Sequence, residues 1–218
     1  MNASPLFYEG SPEHRRHLAG RDASLGRIID IIGHIRRRIW PEPYAALLRA
    51  IIGQQISAKA QDAVWQRFCA SFPHFDPRLL AKTDPDCICR CGISRRKAGY
   101  MQGVAAEFAS RRLDGDSMAQ MDDGELRQIL GKLKGIGPWT VEMLLIFTFQ
   151  RPNVLSFGDL AIQRSMRRLY AHERITRAIF AEHLRVYSPC ATLAGMYLWE
   201  MAKLPDAIVD SVIGSAKS

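Results

Sequence analysis

The 218-residue chain has no apolar run of membrane-spanning length, which excludes a helical membrane anchor within it. It opens with neither a basic stretch nor the short apolar stretch of a secretory leader. Its cysteines are few: Cys69, Cys87, Cys89, Cys91 and Cys190 form no disulfide framework. An intracellular protein with reduced thiols is therefore expected. Cys87, Cys89 and Cys91 alternate with Ile88 and Arg90, which is not the spacing of a zinc-ligand pair, so neither a metal nor a cofactor is expected. Strand-like alternation is scarce, and neither an internal repeat nor a low-complexity tract is visible.

Hydrophobic residues make up 47% of the chain, enough to bury the core of one or two domains. Lys and Arg number 30 against 22 Asp and Glu, a net charge of +8. The bases cluster at Arg36-Arg37-Arg38, Arg95-Arg96-Lys97, Arg111-Arg112, and Arg164 with Arg167-Arg168. Such a balance favours polyanionic partners through counterion release, while any single cluster reads equally as a solvated helix face.

Helical periodicity dominates, so the fold class is all-α. The chain up to about Pro12 reads as loose. Residues 25–39 read as one helix with Leu25, Ile28, Ile29 and Ile32 on its inner face, stopped by Pro41 and Pro43. Leu47, Leu48, Ile51 and Ile52 mark a helix ending at Gly53. Ser57 caps the next, whose inner face is Ala60, Ala63, Val64 and Phe68. Ser94 caps a helix bearing Ala98, Met101, Ala105 and Phe108, and Asp122 with Glu125 forms a capping box ahead of Leu126, Ile129, Leu130 and Leu133. Residues 141–149 are apolar on nearly every side and predict a central helix; a last long apolar helix is predicted over 189–203.

The most informative stretch is Leu133-Lys134-Gly135-Ile136-Gly137-Pro138-Trp139-Thr140, followed one helix later by Ser156-Phe157-Gly158-Asp159. Two glycines flanking one aliphatic residue let a helix-to-helix hairpin turn tightly and leave backbone N–H groups open to an anion, DNA backbone being the obvious one. Pro138 suits the first turn after the hairpin, where it has no N–H to lose. Asp159 falls at the start of a helix over 160–170. There it caps the helix, or presents a fixed carboxylate to whatever the hairpin holds, and the two roles are compatible. Arg95-Arg96-Lys97 occupies a first helical turn, where the dipole disfavours cations by several tenths of a kcal/mol each; a bound anion such as DNA phosphate would remove that penalty.

Together with Pro43-Tyr44, Ala50-Ile51-Ile52-Gly53-Gln54-Gln55-Ile56-Ser57, Gly92-Ile93-Ser94-Arg95-Arg96-Lys97-Ala98 and Tyr197-Leu198-Trp199, these segments resemble the helix-hairpin-helix DNA glycosylases with a Gly/Pro-rich loop and a catalytic aspartate. The likeness covers most of the chain and is closest to the alkylbase branch typified by bacterial 3-methyladenine DNA glycosylase II. It implies two helical domains with an active cleft between them: residues 43–151 carrying the hairpin, and residues 1–42 with 152–218 forming the other. The extra N-terminal α/β domain of the type member is expected to be absent, and the four C-terminal cysteines of the iron–sulfur glycosylases are missing.

By the same resemblance Asp159 is the catalytic residue, and Trp139, Tyr44 and Trp199 belong to the base pocket, with ordinary core packing as the alternative for all three. Gln54 and Gln55 stand beside the place where the family inserts a side chain into the gap left by the flipped base; a plain interhelix turn is the other reading. Ser94, Arg95, Lys97, Lys134, Gly135 and Gly137 are DNA-binding candidates, and the carbonyls of Gly135 and Gly137 are candidates for a monovalent cation bridging to phosphate. The type enzyme has a tryptophan near the position of Cys190, so pocket shape is expected to differ.

Breaking an N-glycosidic bond builds positive charge on the sugar, and a carboxylate about 4 Å away is worth roughly 4 kcal/mol at an effective dielectric near 20. Glycoside hydrolysis usually needs a second carboxyl as acid. A purine alkylated at N3 or N7 is already cationic and leaves without being protonated, so a single carboxylate suits that substrate. Glu142 is a weaker second candidate, with a structural place as its alternative. Trp139 stands where lyase-competent members carry a Schiff-base lysine, so a monofunctional enzyme is expected.

The partner is then double-stranded DNA containing alkylated bases such as 3-methyladenine or 7-methylguanine, with hypoxanthine and ethenoadenine left open. A monomer is expected, located in the cytoplasm and nucleoid if bacterial or the nucleus if eukaryotic. A non-catalytic helix-hairpin-helix binder of bent or damaged DNA is the alternative function. A lyase acting on oxidised bases is a third.

Overall fold

The computed structural model describes residues 6–214. Strand β1 (Phe7–Glu9), helices α1 (Pro12–Arg21) and α2 (Ala23–Ile32) and strand β2 (Arg36–Arg38) open the chain. Helices α3 (Pro43–Gly53), α4 (Ala58–Ser71), α5 (Pro77–Leu80), α6 (Pro85–Cys89), α7 (Arg95–Ala109), α8 (Gly115–Gln120), α9 (Asp123–Leu130) and α10 (Pro138–Phe147) follow. Helices α11 (Leu160–Leu169), α12 (Arg177–Tyr187), α13 (Ala191–Met201) and α14 (Asp206–Gly214) complete it. The chain divides into two compact units, one formed by residues 1–39 and 150–218 and the other by residues 40–149.

The terminal unit is built around α13, whose residues from Ala191 to Leu198 are all buried and which packs against α1, α2, α11 and α12. Two glycines allow close approach. A Cβ at Gly10 would lie 2.5 Å from Leu193, and one at Gly195 3.0 Å from Leu155. Asp22 joins α1 to α2, with one carboxylate oxygen accepting from Leu25 N–H at 2.9 Å. Its other oxygen accepts from the Tyr170 hydroxyl at 2.6 Å, which ties that corner to the end of α11.

In the central unit α7 packs against α3, α5 and α6, while α3 also meets α4 and α10, and α9 leads into α10. The α4 face is aromatic: Phe68 stacks with Phe72 and Phe75, and the Trp65 ring lies tilted against Phe68 and Phe75, at centroid separations of 5.0 to 5.9 Å. Side-chain caps start most of these helices. Ser57 accepts from Ala60 N–H and Ser94 from Lys97 N–H, and Asp122 and Glu125 form a reciprocal capping box.

Several sequence expectations are corrected. The helix expected over 25–39 stops at Ile32, because Gly33 takes a φ of +72° and closes it with a bond to the Ile29 carbonyl. Arg36–Arg38 then pairs antiparallel with Phe7–Glu9, so the all-α architecture carries one small two-stranded sheet. Arg36 sits over the Phe7 ring and pairs with Glu9, which holds the pairing from the side-chain level. The loose segment expected up to Pro12 falls partly on residues 1–5, outside the described residues. From Phe7 onward it is strand, and Ser11 caps α1 with Pro12 in its first turn. Ala63, expected on the inner face of α4, is exposed, and burial there rests on Val64 and Phe68. No helix among the described residues is long and apolar enough to cross a membrane.

Candidate active site and nucleic-acid interface

The hairpin joins α9 to α10 through residues 131–137. Ile136 is its anchor, 5% exposed, with its N–H bonded to the Leu133 carbonyl at 3.1 Å. The two glycines flanking it do different work. Gly135 has a φ of +86°, and a Cβ there would lie 2.3 Å from the Tyr100 ring, so the turn and the packing both require glycine. Gly137 has an ordinary φ of −90°, and a Cβ there would meet nothing within 4 Å. Its bareness faces open space.

Gly137 is the N-cap of α10 and offers no side-chain capping bond. The N–H groups of Lys134, Gly135 and Gly137 donate to no acceptor among the described residues. Unsatisfied amides beside the positive end of a ten-residue helix have the chemistry to hold an anion, and exposed Lys134 brings a full positive charge beside them. The carbonyls turn the other way. That of Gly135 accepts from the Gln54 amide at 2.6 Å and that of Gly137 from Val141 N–H at 3.1 Å. Each accepts one bond from the protein and keeps a second lone pair.

At the end of α3, Gln54 is half-buried and bonded to the hairpin, whereas Gln55 is exposed and held at a φ of +59°. Ile56 beside it is 40% exposed. Around the start of α7, Ser94 is the cap and Arg95 pairs with Asp86 at 2.8 Å, both side chains well exposed. An exposed pair of this kind is worth about 0–1 kcal/mol, so Arg95 can leave Asp86 for another anion at small cost.

Lys97 departs from the expectation of a phosphate contact. Its ammonium donates to the Ile52 carbonyl at 2.9 Å and the Gln54 carbonyl at 2.7 Å. The penalty of a cation in the first turn of α7 is thus offset by the negative end of α3. Partial burial, and secondarily the neighbouring Arg96, lowers the Lys97 pKa from its usual value.

Trp139 is 47% exposed at the start of α10 and lines a cavity of about 280 Å³ with Trp40, Arg49, Met143 and Phe147. Arg49 lies over the Trp40 ring at 4.2 Å and pairs with Asp62, and Gln61 donates to the Arg49 carbonyl at 2.8 Å. Sequence reasoning missed Trp40, Arg49 and Gln61. Nothing local marks them, because they meet only when α3, α4 and α10 pack. Tyr44 does not line this cavity: its ring packs on Phe108 of α7 at 4.9 Å, its buried hydroxyl has no hydrogen-bond partner, and burial raises its pKa. Trp199 is half-buried on α13 in the terminal unit.

Asp159, 8% exposed, is the N-cap of α11. Its Oδ1 accepts from the N–H groups of Ala161 at 2.9 Å and Ile162 at 3.0 Å. The segment before it is pinned from α13, where the buried Thr192 hydroxyl accepts from Val154 N–H at 3.0 Å and donates to the Arg151 carbonyl at 2.6 Å. Gln163 holds the Phe157 carbonyl, and the Phe157 ring packs edge-on to Phe180 at 5.2 Å. The result is a carboxylate fixed in direction by its own helix, which is what transition-state stabilisation requires. Glu142, the other acid considered, faces Arg127 at 3.8 Å with its side chain 18% exposed.

Residues 48–189 match the family described as HhH-GPD superfamily base excision DNA repair protein. DNA-3-methyladenine glycosylase 1 of Schizosaccharomyces pombe is 34% identical over 200 residues, covering 87% of this chain and 87% of that protein. Among solved structures, the 3-methyladenine DNA glycosylase of the same yeast in complex with abasic DNA matches with a TM-score of 0.79 and 32% identity, over 89% of this chain and 98% of that one. A DNA-3-methyladenine glycosidase from Bacillus halodurans matches with a TM-score of 0.79 and 28% identity, over 90% and 92%.

Proposed function

This chain belongs to the HhH-GPD superfamily of base excision DNA repair proteins, and on that premise we propose that it flips alkylated purines out of duplex DNA and hydrolyses their N-glycosyl bonds, leaving abasic sites. It is a DNA-3-methyladenine glycosylase-like hydrolase. The observation that carries the mechanism is Asp159: a nearly buried carboxylate held by two backbone amides at the start of α11.

Its charge stabilises the oxocarbenium-like sugar as the base departs, and the same carboxylate orients the attacking water. The hairpin amides at Lys134, Gly135 and Gly137 hold backbone phosphate, with Lys134, Ser94 and Arg95 adding contacts. Gln55 fills the gap in the duplex, and the exposed Trp139 offers a π-face to the extruded cationic base. Tyr44 packs on Phe108 within its own unit, and Trp199, half-buried on α13, remains the second aromatic candidate for the base pocket. Glu142 faces Arg127 at 3.8 Å and is given no role, and a single carboxylate suits a leaving base that already carries positive charge, such as 3-methyladenine or 7-methylguanine, over neutral lesions. Trp139 supplies no amine, and strand cleavage through a Schiff base has no nucleophile there.

On this reading the protein works as a monomer, without a cofactor, in whichever compartment holds the DNA: cytoplasm and nucleoid in a bacterium, nucleus in a eukaryote. The test is excision across a panel of defined lesions in duplex DNA, followed by heating to reveal abasic sites. Release of methylated purines with intact strands is expected. Binding without base release would instead identify a non-catalytic binder of damaged DNA, and a borohydride-trapped covalent complex would identify a lyase.

A further inference from the structure

The end of α3 is held in an unusual way. Its last carbonyls lack partners within the helix, and a side chain from another helix supplies them: Lys97 of α7 bonds the Ile52 and Gln54 carbonyls together. Gln54, fixed by that bond, sends its own side-chain amide to the Gly135 carbonyl at 2.6 Å. One ammonium and one amide thus connect α7, the turn after α3 and the hairpin between α9 and α10, positions separated by 43 to 81 residues along the chain. Directly beyond this link the chain projects Gln55 in a left-handed conformation, with Ile56 exposed next to it.

We propose that Lys97 and Gln54 form a strap that fixes the Gln55–Ile56 tip relative to the phosphate-binding amides of the hairpin, so that gap filling and backbone grip act as one rigid part. The inference rests on the glycosylase reading only in assigning the tip to base extrusion. Lys97 and Gln54 are then positioning residues, and Gln55 with Ile56 is the part that enters the duplex. Rigidity matters because extrusion is opposed by lost stacking and pairing, and a tip displaced by about an ångström no longer fills the space the base vacates. A positive charge suits this place, since its partners lie at the negative end of a helix.

The experiment uses the full chain with Lys97→Met and Lys97→Arg, and a duplex in which 2-aminopurine fluorescence reports extrusion. For Lys97→Met the extrusion signal and the single-turnover excision of methylated purine from duplex DNA are expected to fall about tenfold, while excision from single-stranded DNA, where no gap needs filling, falls about twofold or less. The salt dependence of binding to undamaged duplex is expected to be unchanged, and Lys97→Arg to recover most of the extrusion signal. A salt slope reduced by about 0.9 would make Lys97 a phosphate contact and overturn the strap. Equal losses on single and double strands would overturn it too. Should Lys97→Met fail to fold, Gln54→Leu carries the same test, and an unchanged extrusion signal in the folded variant refutes the proposal. Extrusion and salt slope are read without chemistry, so a wild-type protein that releases no base defeats the glycosylase reading while leaving the strap testable.

Discussion

Asp159→Asn separates charge from shape at the proposed catalytic position. Asparagine is as good an N-cap as aspartate, and its oxygen accepts the same two bonds from Ala161 and Ile162. What is lost is a negative charge at the start of α11, worth about 0.3–1 kcal/mol to the fold through the helix dipole. For a chain of this size such a loss lowers the melting midpoint by about 2–4 °C at most. The same charge, placed about 4 Å from a developing sugar cation at an effective dielectric near 20, is worth roughly 4 kcal/mol in the transition state. That corresponds to about a thousandfold in the chemical step. Single-turnover release of methylated adenine from duplex DNA should therefore fall by roughly that factor, with affinity for an abasic duplex kept within about twofold. Asp159→Ala adds the loss of the cap, about 1 kcal/mol of stability, without a further comparable loss of rate. An asparagine variant that binds abasic DNA normally and still releases the base at the wild-type rate would refute the catalytic assignment and leave Asp159 as a helix cap alone.

The two hairpin glycines should respond oppositely to a methyl group. Gly135→Ala forces a left-handed residue into the Tyr100 ring and should destabilise by about 2 kcal/mol or more in urea unfolding, whereas Gly137→Ala should keep its stability within about 0.5 kcal/mol and weaken duplex binding by crowding the phosphate. Lys134→Ala should reduce the slope of log affinity against log salt by about 0.9, equally for damaged and undamaged duplexes; an unchanged slope would remove Lys134 from the phosphate contacts. His183 stacks on Tyr170 at 3.9 Å with its buried Nδ1 unpaired, and its pKa is lowered, chiefly by burial and also by His172, against opposing pulls from Asp22 and Glu182. A histidine held neutral by the fold takes up protons more readily when unfolded. Stability should therefore decline as pH falls below about 6.5, and His183→Gln should flatten that limb of a melting-temperature profile.

Much of the local structure was legible before any coordinates. Ser57, Ser94 and the Asp122/Glu125 box announced helix starts, and the structure shows each cap made. Asp159 likewise read as a cap, and is one. Glycines flanking Ile136 announced the hairpin. These signals act over a turn or less of chain, through a side chain meeting its own backbone, so the order of residues alone determines them.

Tertiary structure alone decided the rest. Residues 36–38 carry no strand pattern of their own and became a strand because Phe7–Glu9 lies alongside. Lys97, by its position in a first helical turn, pointed to an anion from outside; packing delivered the carbonyls of α3 instead. Trp40, Arg49 and Gln61 acquired a shared cavity with Trp139 only through the meeting of three helices. Tyr44, equally aromatic and equally placed by motif, turned toward Phe108. A sequence specifies which groups seek partners within reach of their own backbone, but the partner of a long side chain depends on which distant element is brought within about 3 Å of its tip, and that is settled only when the core closes.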